Sequence, residues 1–164
     1  MNTFLTYIYP IITSLLTAII VAGVAFKQFR KEKHWEQKKE LYFNIINTLT
    51  CIQKFYEKIY RDHYDVENYL DYNPLEKYDY KSNDNHISEL NNLLSLCMLL
   101  SNKKIYSPFK QFIKNLDKKD FDFLLYNSAQ DYQTIVYTYN EWGVFIKQHK
   151  EKLINLMRKD LGIK

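Results

Sequence analysis

The chain begins with a long segment of apolar residues. From Phe4 to Phe26 no side chain carries a charge, and leucine, isoleucine, valine, alanine and aromatic residues dominate. A helix over this segment reaches roughly 34 Å, which matches the thickness of the hydrocarbon core of a bilayer. The pattern therefore predicts that residues 1–26 form a transmembrane anchor.

Two other interpretations fit an apolar N-terminal segment. The small residues of Gly23-Val24-Ala25 could be the cleavage site of a secretory signal peptide. A signal peptide, however, has a basic start and an apolar region of about 7 to 15 residues, whereas this longer segment follows the uncharged Met1-Asn2-Thr3. The third interpretation is a buried helix of a soluble protein. We favour the transmembrane helix because of the length of the segment.

Basic residues follow the apolar segment directly, and none precedes it. Residues 27–39 contain six lysines and arginines against two glutamates. Because positive charge is retained on the cytoplasmic side, the pattern predicts a single-pass protein with its N-terminus outside and residues 27–164 in the cytoplasm. The residues expected to set this orientation and to contact lipid headgroups are Lys27, Arg30, Lys31 and Lys33.

Small residues recur along one side of the predicted membrane helix. Their spacing of four, four and three residues places them on a single stripe, where they would let two helix backbones approach closely. The stripe predicts self-association in the membrane, although small residues are common in any span and the spacing is also compatible with chance. Its members are Ser14, Ala18, Ala22 and Ala25.

A heptad pattern of apolar residues continues beyond the basic cluster. One heptad position holds Trp35, Tyr42, Leu49 and Tyr56, and the other holds Ile45, Ile52 and Ile59, with Lys38 as its single polar member. No proline or glycine occurs between residue 24 and about residue 62, so the membrane helix is predicted to continue into the cytoplasm. Three further apolar residues widen the stripe and favour a bundle over a bare coiled coil: Phe43, Ile46 and Phe55.

The sequence after residue 62 predicts a loop and three further helices. Residues 63–86 are acidic and contain Pro74, which predicts a loop, and apolar spacing predicts a helix over 87–100. Ser101-Asn102 is a predicted break before a short helix over 105–116, and Asp117 and Asp120 are expected to begin a final helix of about 40 residues. The predicted fold is all-α: a transmembrane helix that continues into a long helix, and an up-down antiparallel bundle.

Composition and charge support this assignment. Glycine and proline are scarce, with three of each, and the excess of lysine over arginine, 20 to 3, is typical of an AT-rich bacterial genome. Residues 147–164 carry six basic residues against two acidic ones. We expect both basic segments to meet anionic membrane lipids, and we expect no nucleic acid partner. Cys51 and Cys97 lie in apolar surroundings, which favours free thiols over a disulfide.

The sequence contains no motif of a known catalytic class. We predict no enzymatic activity, no cofactor and no metal, because the clustered Asp62, His63, Asp65 and Glu67 lack a recognised ligand spacing and fit a solvated acidic loop. On the final helix, His149 lies on the apolar stripe, where we expect a satisfied core or interface residue. Beside Trp142, the missing side chain of Gly143 is expected to admit a bulky ring from the facing helix.

Two segments resemble a known group of proteins. The segments KEKHWEQKKELYFNIINTL and LINLMRKDLG are similar to those of small bacterial single-pass membrane proteins with a helical cytoplasmic part and no settled activity. The resemblance implies a bacterial origin and a setting among accessory genes such as those of phage defence. Within the second segment, Arg158 and Asp160 either anchor the bundle or meet a partner, or else belong to a helix end capped at Gly162.

Two hypotheses of function follow. The first is a membrane-tethered helical interaction or scaffold protein that binds a cytoplasmic partner or itself. The second is a membrane effector of an anti-phage or toxin–antitoxin system that oligomerises and perturbs the bilayer. The candidate residues for partner contact or anchoring are Trp35, Trp142, His149, Arg158 and Asp160.

Overall fold

The structure, a computed structural model, describes residues 2–64, 78–126 and 132–163. It contains four helices: α1 (Asn2–Tyr64), α2 (Tyr80–Leu100), α3 (Lys103–Tyr126) and α4 (Tyr132–Asp160). Side chains are described for residues 9–62, 78–118 and 137–163. None of the described residues forms a β-strand, so the all-α prediction is confirmed. The chain divides into two compact units, Met1–Gln37 and Lys38–Lys164, and we call the second unit the body.

The first unit presents its apolar side chains to the surroundings. From residue 9 to residue 26 every described side chain except that of Thr13 is exposed. One helix in the described part of the chain, α1, is long and apolar enough to cross a membrane. The buried-helix interpretation receives no support, because the apolar part of α1 is not buried by any described residue.

The hydroxyl groups within this apolar segment are bonded to their own helix. Thr13 Oγ1 donates to the Tyr9 carbonyl oxygen at 3.0 Å, Ser14 Oγ to that of Ile11 at 2.9 Å, and Thr17 Oγ1 to that of Thr13 at 2.8 Å. A hydroxyl that bonds to the preceding turn needs no partner from the solvent. The segment therefore satisfies these polar groups in a way that is compatible with lipid as well as water.

The heptad residues of α1 form one side of the core of the body. Tyr42, Ile45, Leu49, Ile52, Tyr56 and Ile59 are all buried, which confirms the predicted pattern from Tyr42 onward. Ile46 and Phe55 pack against this core, as expected, but Phe43 is 70% exposed. Successive residues of a helix point about 100° apart, so Phe43 faces away from the side on which its neighbour Tyr42 is buried.

The helix boundaries after α1 differ from the predictions. The predicted loop over 63–86 is too long, because α2 begins at Tyr80, where the Asp79 carboxylate accepts a hydrogen bond from the Ser82 N–H at 3.0 Å. Residues 65–77 of that loop lie outside the described residues. Asp117 and Asp120 lie inside α3, which continues to Tyr126, and α4 has 29 residues rather than about 40. No glycine or proline follows Pro108 in α3, so a single aspartate does not end the helix.

The predicted break between α2 and α3 is confirmed. Ser101 is the C-cap of α2, and its N–H donates to the Cys97 carbonyl oxygen at 3.0 Å. Asn102 caps α3, because its Oδ1 accepts a hydrogen bond from the Lys104 N–H at 2.8 Å. α2 therefore ends at Ser101, and α3 begins after Asn102, whose side chain satisfies a free N–H group of its first turn.

Contacts along their length connect the second half of α1 with α4. Lys38 Nζ lies 3.0 Å from Asp160 Oδ2, and Lys150 Nζ donates to Thr50 Oγ1 at 3.3 Å. Further along, the rings of Tyr56 and Trp142 meet edge to face with centroids 5.0 Å apart.

Gly143 lies at a close approach between these two helices. A Cβ atom at Gly143 would lie 3.3 Å from Glu57 Cγ. The space beside Trp142 is therefore occupied by the aliphatic part of Glu57 and not by the bulky ring that we expected. Gln53 Nε2 donates to Glu57 Oε1 at 2.6 Å and holds this side chain in place.

The C-terminal end of α4 is closed by a glycine cap, as one of the sequence interpretations predicted. Gly162 has φ +71°, its N–H donates to the Lys159 carbonyl oxygen at 3.2 Å, and the Ile163 N–H donates to that of Arg158 at 2.9 Å. This pair of bonds is the Schellman arrangement, in which a left-handed residue satisfies the last carbonyl groups of a helix.

We expect Gly162→Ala to lower the free energy of unfolding of the body by about 1 kcal/mol, because a Cβ atom is disfavoured at positive φ. Gly162→Asn is the matched control and should cost less, since asparagine tolerates this conformation better. Chemical unfolding of the purified protein in detergent, followed by circular dichroism, measures both. Equal losses in the two variants, or none in either, would contradict the role assigned to the cap.

Candidate functional site

A group of polar side chains converges on the carboxylate of Asp160. Its Oδ2 accepts hydrogen bonds from Tyr42 OH at 2.6 Å and from Lys38 Nζ at 3.0 Å, and its Oδ1 accepts one from Asn102 Nδ2. The Asp160 side chain is only 9% exposed. We call Lys38, Tyr42, Asn102 and Asp160 the Asp160 cluster.

Three separate segments of the body supply the Asp160 cluster. Lys38 and Tyr42 are one turn apart on α1, so their side chains project from the same side of that helix. Asn102 lies between α2 and α3 and uses its oxygen as the cap of α3 while its amide nitrogen donates to Asp160. Asp160 is the last residue of α4. One carboxylate thereby connects the beginning of the body in α1, the α2–α3 junction and the end of α4.

The surroundings of Asp160 keep its carboxylate ionised. Burial alone would raise the pKa of Asp160, but the hydrogen bonds from Tyr42 and Lys38, the charge of Lys38 and the bond from Asn102 outweigh burial and lower it. Such donors stabilise the charged form of a carboxylate. At neutral pH the cluster therefore contains an ionised aspartate whose oxygens are engaged by donors.

The neighbouring Tyr42 and Cys97 are held in their neutral forms. Burial, together with the hydrogen bond to Asp160 and its charge, raises the pKa of Tyr42. Burial likewise raises the pKa of Cys97, despite the contact of its Sγ with Ser101 Oγ at 3.0 Å. A buried thiol whose pKa is raised is a weak nucleophile. These directions of shift suit an anchoring role for the cluster.

The predicted candidate residues of α4 occupy different places. Arg158 is exposed and lies two residues before Asp160. Trp142 is buried and stacks edge to face on Tyr56, and His149 packs its ring against Phe112 and Phe145. The Nδ1 atom of His149 lies 2.9 Å from the Phe145 carbonyl oxygen. Trp142 and His149 thus serve internal packing of the body, and only Asp160 of the predicted set belongs to the cluster.

The predicted headgroup and association residues lie in the first unit. Lys27, Arg30, Lys31 and Lys33 are all exposed, and the Arg30 guanidinium lies 4.9 Å from the centre of the Phe26 ring. Trp35 belongs to the same unit and is 41% exposed. The members of the small-residue stripe are exposed as well: Ser14, Ala18, Ala22 and Ala25.

A second polar feature lies where α1 meets the beginning of α2. A cleft of about 340 Å³ is lined by residues that include Phe55, Lys58, Tyr78 and Asn83. Asn83 is buried and its Nδ2 donates to Tyr56 OH at 3.3 Å, while its Oδ1 has no hydrogen-bond partner among the described residues. Water is the simplest partner for a buried amide oxygen beside an open cleft.

Sequence reasoning missed most partners of Asp160. The heptad pattern places Tyr42 on the apolar stripe, and Ser101-Asn102 predicts a break between helices but no partner for Asn102. One signal was available: Lys38 is a charged residue at an apolar heptad position, and a buried amine requires a carboxylate.

The acidic group Asp62, His63, Asp65 and Glu67, for which we expect no metal, lies mostly outside the described side chains. His63, Asp65 and Glu67 fall in this category, whereas Asp62 accepts a hydrogen bond from Tyr78 OH at 3.0 Å. Among the described residues no group of three or more potential ligands is close enough to hold a metal ion.

Comparison with known proteins gives no significant match to any protein-family model, curated protein or solved structure.

Proposed function

We propose that this chain is a membrane-tethered helical interaction protein of a bacterium. It crosses the cell membrane once through the N-terminal part of α1, with the N-terminus outside and the body in the cytoplasm, where the body binds a protein partner or a second copy. The observation that carries the proposal is that the apolar segment of α1 is exposed, whereas the body has its own buried core. Exposed apolar surface of this size is unfavourable in water and favourable in lipid.

The basic residues after the apolar segment and the hydroxyl groups within it support this placement. Lys27, Arg30 and Lys31 follow it directly and are exposed, as side chains at the headgroup level of a membrane must be. The hydroxyls of Thr13, Ser14 and Thr17 bond within the helix and so lower the cost of transferring the segment into lipid.

The contacts between α1 and α4 support an up-down antiparallel bundle for the body. Pairing of Lys38 with Asp160, of Thr50 with Lys150 and of Tyr56 with Trp142 is the order expected of two antiparallel helices. In this arrangement the Asp160 cluster ties the end of α4 to the beginning of the body. A bundle fixed in this way presents a defined surface to a partner.

The interaction role is tested by exchanging the membrane helix. We expect a chimera in which residues 4–26 are replaced by an unrelated apolar helix to retain membrane location and co-purifying proteins. The same chimera carrying Asp160→Ala is the companion variant, and we expect it to lose the partners, because the body loses its anchor. Loss of partners from the simple chimera, with membrane insertion intact, would contradict a tether that serves only to hold the body at the membrane.

A second candidate function is a membrane effector of an anti-phage or toxin–antitoxin system. It is favoured by the exposed stripe of Ser14, Ala18, Ala22 and Ala25, on which helices could associate and perturb the bilayer. Under this alternative, Ala18→Leu or Ala22→Leu abolishes growth inhibition while the protein still inserts, and Ile20→Leu, which lies off the stripe, has no effect. Growth inhibition that persists in both alanine variants would exclude this mechanism.

A further inference from the structure

Apolar side chains are exposed at the α2–α3 junction of the body. Leu99 is 75% exposed and Met98 is 64% exposed, although they are the two residues after the fully buried Cys97. Single exposed apolar residues are ordinary on protein surfaces. Here two adjacent ones lie in the last turn of α2, and α3 begins shortly after them with the exposed Lys103 and Lys104.

The C-terminal end of α4 lies at the same end of the body. Asn102 Nδ2 donates to Asp160 Oδ1, which brings the α2–α3 junction next to the last turn of α4. Leu99 lies three residues before Asn102, and Ile163, which is 46% exposed, lies three residues after Asp160. We call the exposed residues of this region the end patch: Met98, Leu99, Lys103, Lys104, Lys159 and Ile163.

The charge around the end patch is strongly positive. Residues 96–104 and 157–163 contain Lys103, Lys104, Arg158 and Lys159, against the single acid Asp160. The Asp160 carboxylate already binds Lys38, so it does not neutralise the exposed lysines. Exposed leucine, methionine and isoleucine interspersed with lysines are the composition of surfaces that bind anionic membranes, where the lysines meet headgroups and the apolar side chains enter the interface.

The end patch is connected through Asp160 to Lys38, which begins the body on α1. Lys38, the first residue of the body, lies twelve residues after Phe26 and contacts Asp160. Because only a short part of α1 separates the body from the apolar segment, a lipid-binding site on the body is kept at a high local concentration of lipid, and even a weak contact becomes populated.

We propose that the end patch docks on the anionic inner surface of the membrane, as a second lipid contact in addition to the transmembrane helix. This inference rests on the proposed function, which supplies the bilayer. Met98, Leu99 and Ile163 lie among the lipid headgroups, and Lys103, Lys104 and Lys159 bind the lipid phosphates. Each lysine at such a surface contributes a factor of roughly five to binding.

Photo-crosslinking of the full chain in vesicles of phosphatidylcholine and phosphatidylglycerol tests the proposal. Benzoylphenylalanine is introduced separately at Leu99, at Leu16 in the apolar segment and at Tyr137, which is 54% exposed on α4 outside the end patch. We expect lipid adducts from positions 99 and 16 and none from position 137. The position 99 adduct should fall in vesicles of phosphatidylcholine alone, whereas the position 16 adduct should not.

Charge variants provide the matched control. Lys103→Glu with Lys104→Glu should lower the position 99 lipid adduct at least about fivefold, whereas Lys110→Glu with Lys114→Glu, at exposed positions of the same helix, should leave it unchanged. Circular dichroism verifies that both double variants fold. An equal decrease in both pairs would overturn the inference.

The outcomes separate this inference from the proposed function. A lipid adduct at position 16 without one at position 99 overturns docking of the end patch and leaves the membrane anchor intact. Absence of the position 16 adduct overturns the proposed function itself. An adduct from position 99 to a second protein chain assigns the end patch to self-association and overturns lipid docking.

Discussion

Asp160→Ala is expected to lower the free energy of unfolding of the body by about 3 kcal/mol. The substitution leaves Lys38 Nζ and Tyr42 OH without their shared acceptor in a partly buried place, and it removes the bond from Asn102. Breaking a buried ion pair on one side is costly because the remaining charge has lost its compensation. Denaturant titration of the full chain in detergent, followed by circular dichroism, gives this difference.

Controls separate the charge of Asp160 from a general effect of losing an acid. Asp160→Asn keeps the size of the side chain and should lose nearly as much stability as Asp160→Ala. Asp117→Asn, at an exposed position of α3, should change the free energy of unfolding by less than about 0.5 kcal/mol. Similar effects of Asp117→Asn and Asp160→Asn would mean that the Asp160 cluster has no special role.

The contribution of Asp160 has a defined dependence on pH. The folded protein lowers the pKa of this carboxyl below the ordinary value of an aspartate, about 4. Its stabilisation is therefore fully present above that ordinary value and is lost as the pH falls through the lower pKa of the folded state. The difference in unfolding free energy between wild type and Asp160→Asn should be constant near neutral pH and shrink below about pH 4. A difference that grows on acidification would contradict the assignment.

The second large effect concerns the orientation of the chain in the membrane. We expect orientation to invert when four lysines are inserted after Met1 and the basic residues after the apolar segment are replaced by glutamine, because the end with more cations stays in the cytoplasm. The replaced residues are Lys27, Arg30, Lys31 and Lys33. A C-terminal fusion to green fluorescent protein loses its fluorescence on inversion, and a fusion to alkaline phosphatase gains activity.

A matched variant removes the same number of cations from the other end of the chain. It carries glutamine at Lys147, Lys150, Lys152 and Lys159, and we expect its orientation to be that of the wild type, since these residues lie far from the apolar segment along the chain. If the first variant kept the wild-type orientation, or if both variants inverted, the basic cluster after Phe26 would not determine sidedness.

The periodic part of the fold could be predicted from sequence because it depends on local spacing. The buried stripe from Tyr42 to Ile59 follows from the heptad spacing of apolar residues. The break at Ser101-Asn102 follows from the capping preferences of these residues. The end of α4 at Gly162 was predictable for the same reason, since few residues other than glycine adopt positive φ.

The errors arose where tertiary contacts decide the outcome. Asp117 resembles an N-cap, but in α3 it is simply an exposed helical residue. The space at Gly143 is taken by Glu57, and helix periodicity does not reveal which side chain of the facing helix meets it. Phe43 is apolar and is therefore expected to widen the apolar stripe, but its direction on α1 exposes it.

The Asp160 cluster could be predicted from the sequence only in part, for the same reason. Lys38 and Asp160 were each conspicuous in the sequence, one as a charge in an apolar heptad and the other as an acid at a helix end. They are 122 residues apart, and their pairing depends on how α1 meets α4. Asn102 caps α3 with its Oδ1 atom and also donates a hydrogen bond from its Nδ2 atom to Asp160. The capping preference of asparagine does not predict the second bond.

Alkaline carbonate extraction of membranes tests the central claim, that the N-terminal part of α1 is embedded in lipid and holds a folded body at the membrane. The measurement compares the full chain with residues 38–164 alone, the unit that contains the buried core. We expect the full chain to remain in the membrane pellet and the shorter chain to appear, folded, in the soluble fraction. A full chain released into the supernatant would contradict the account.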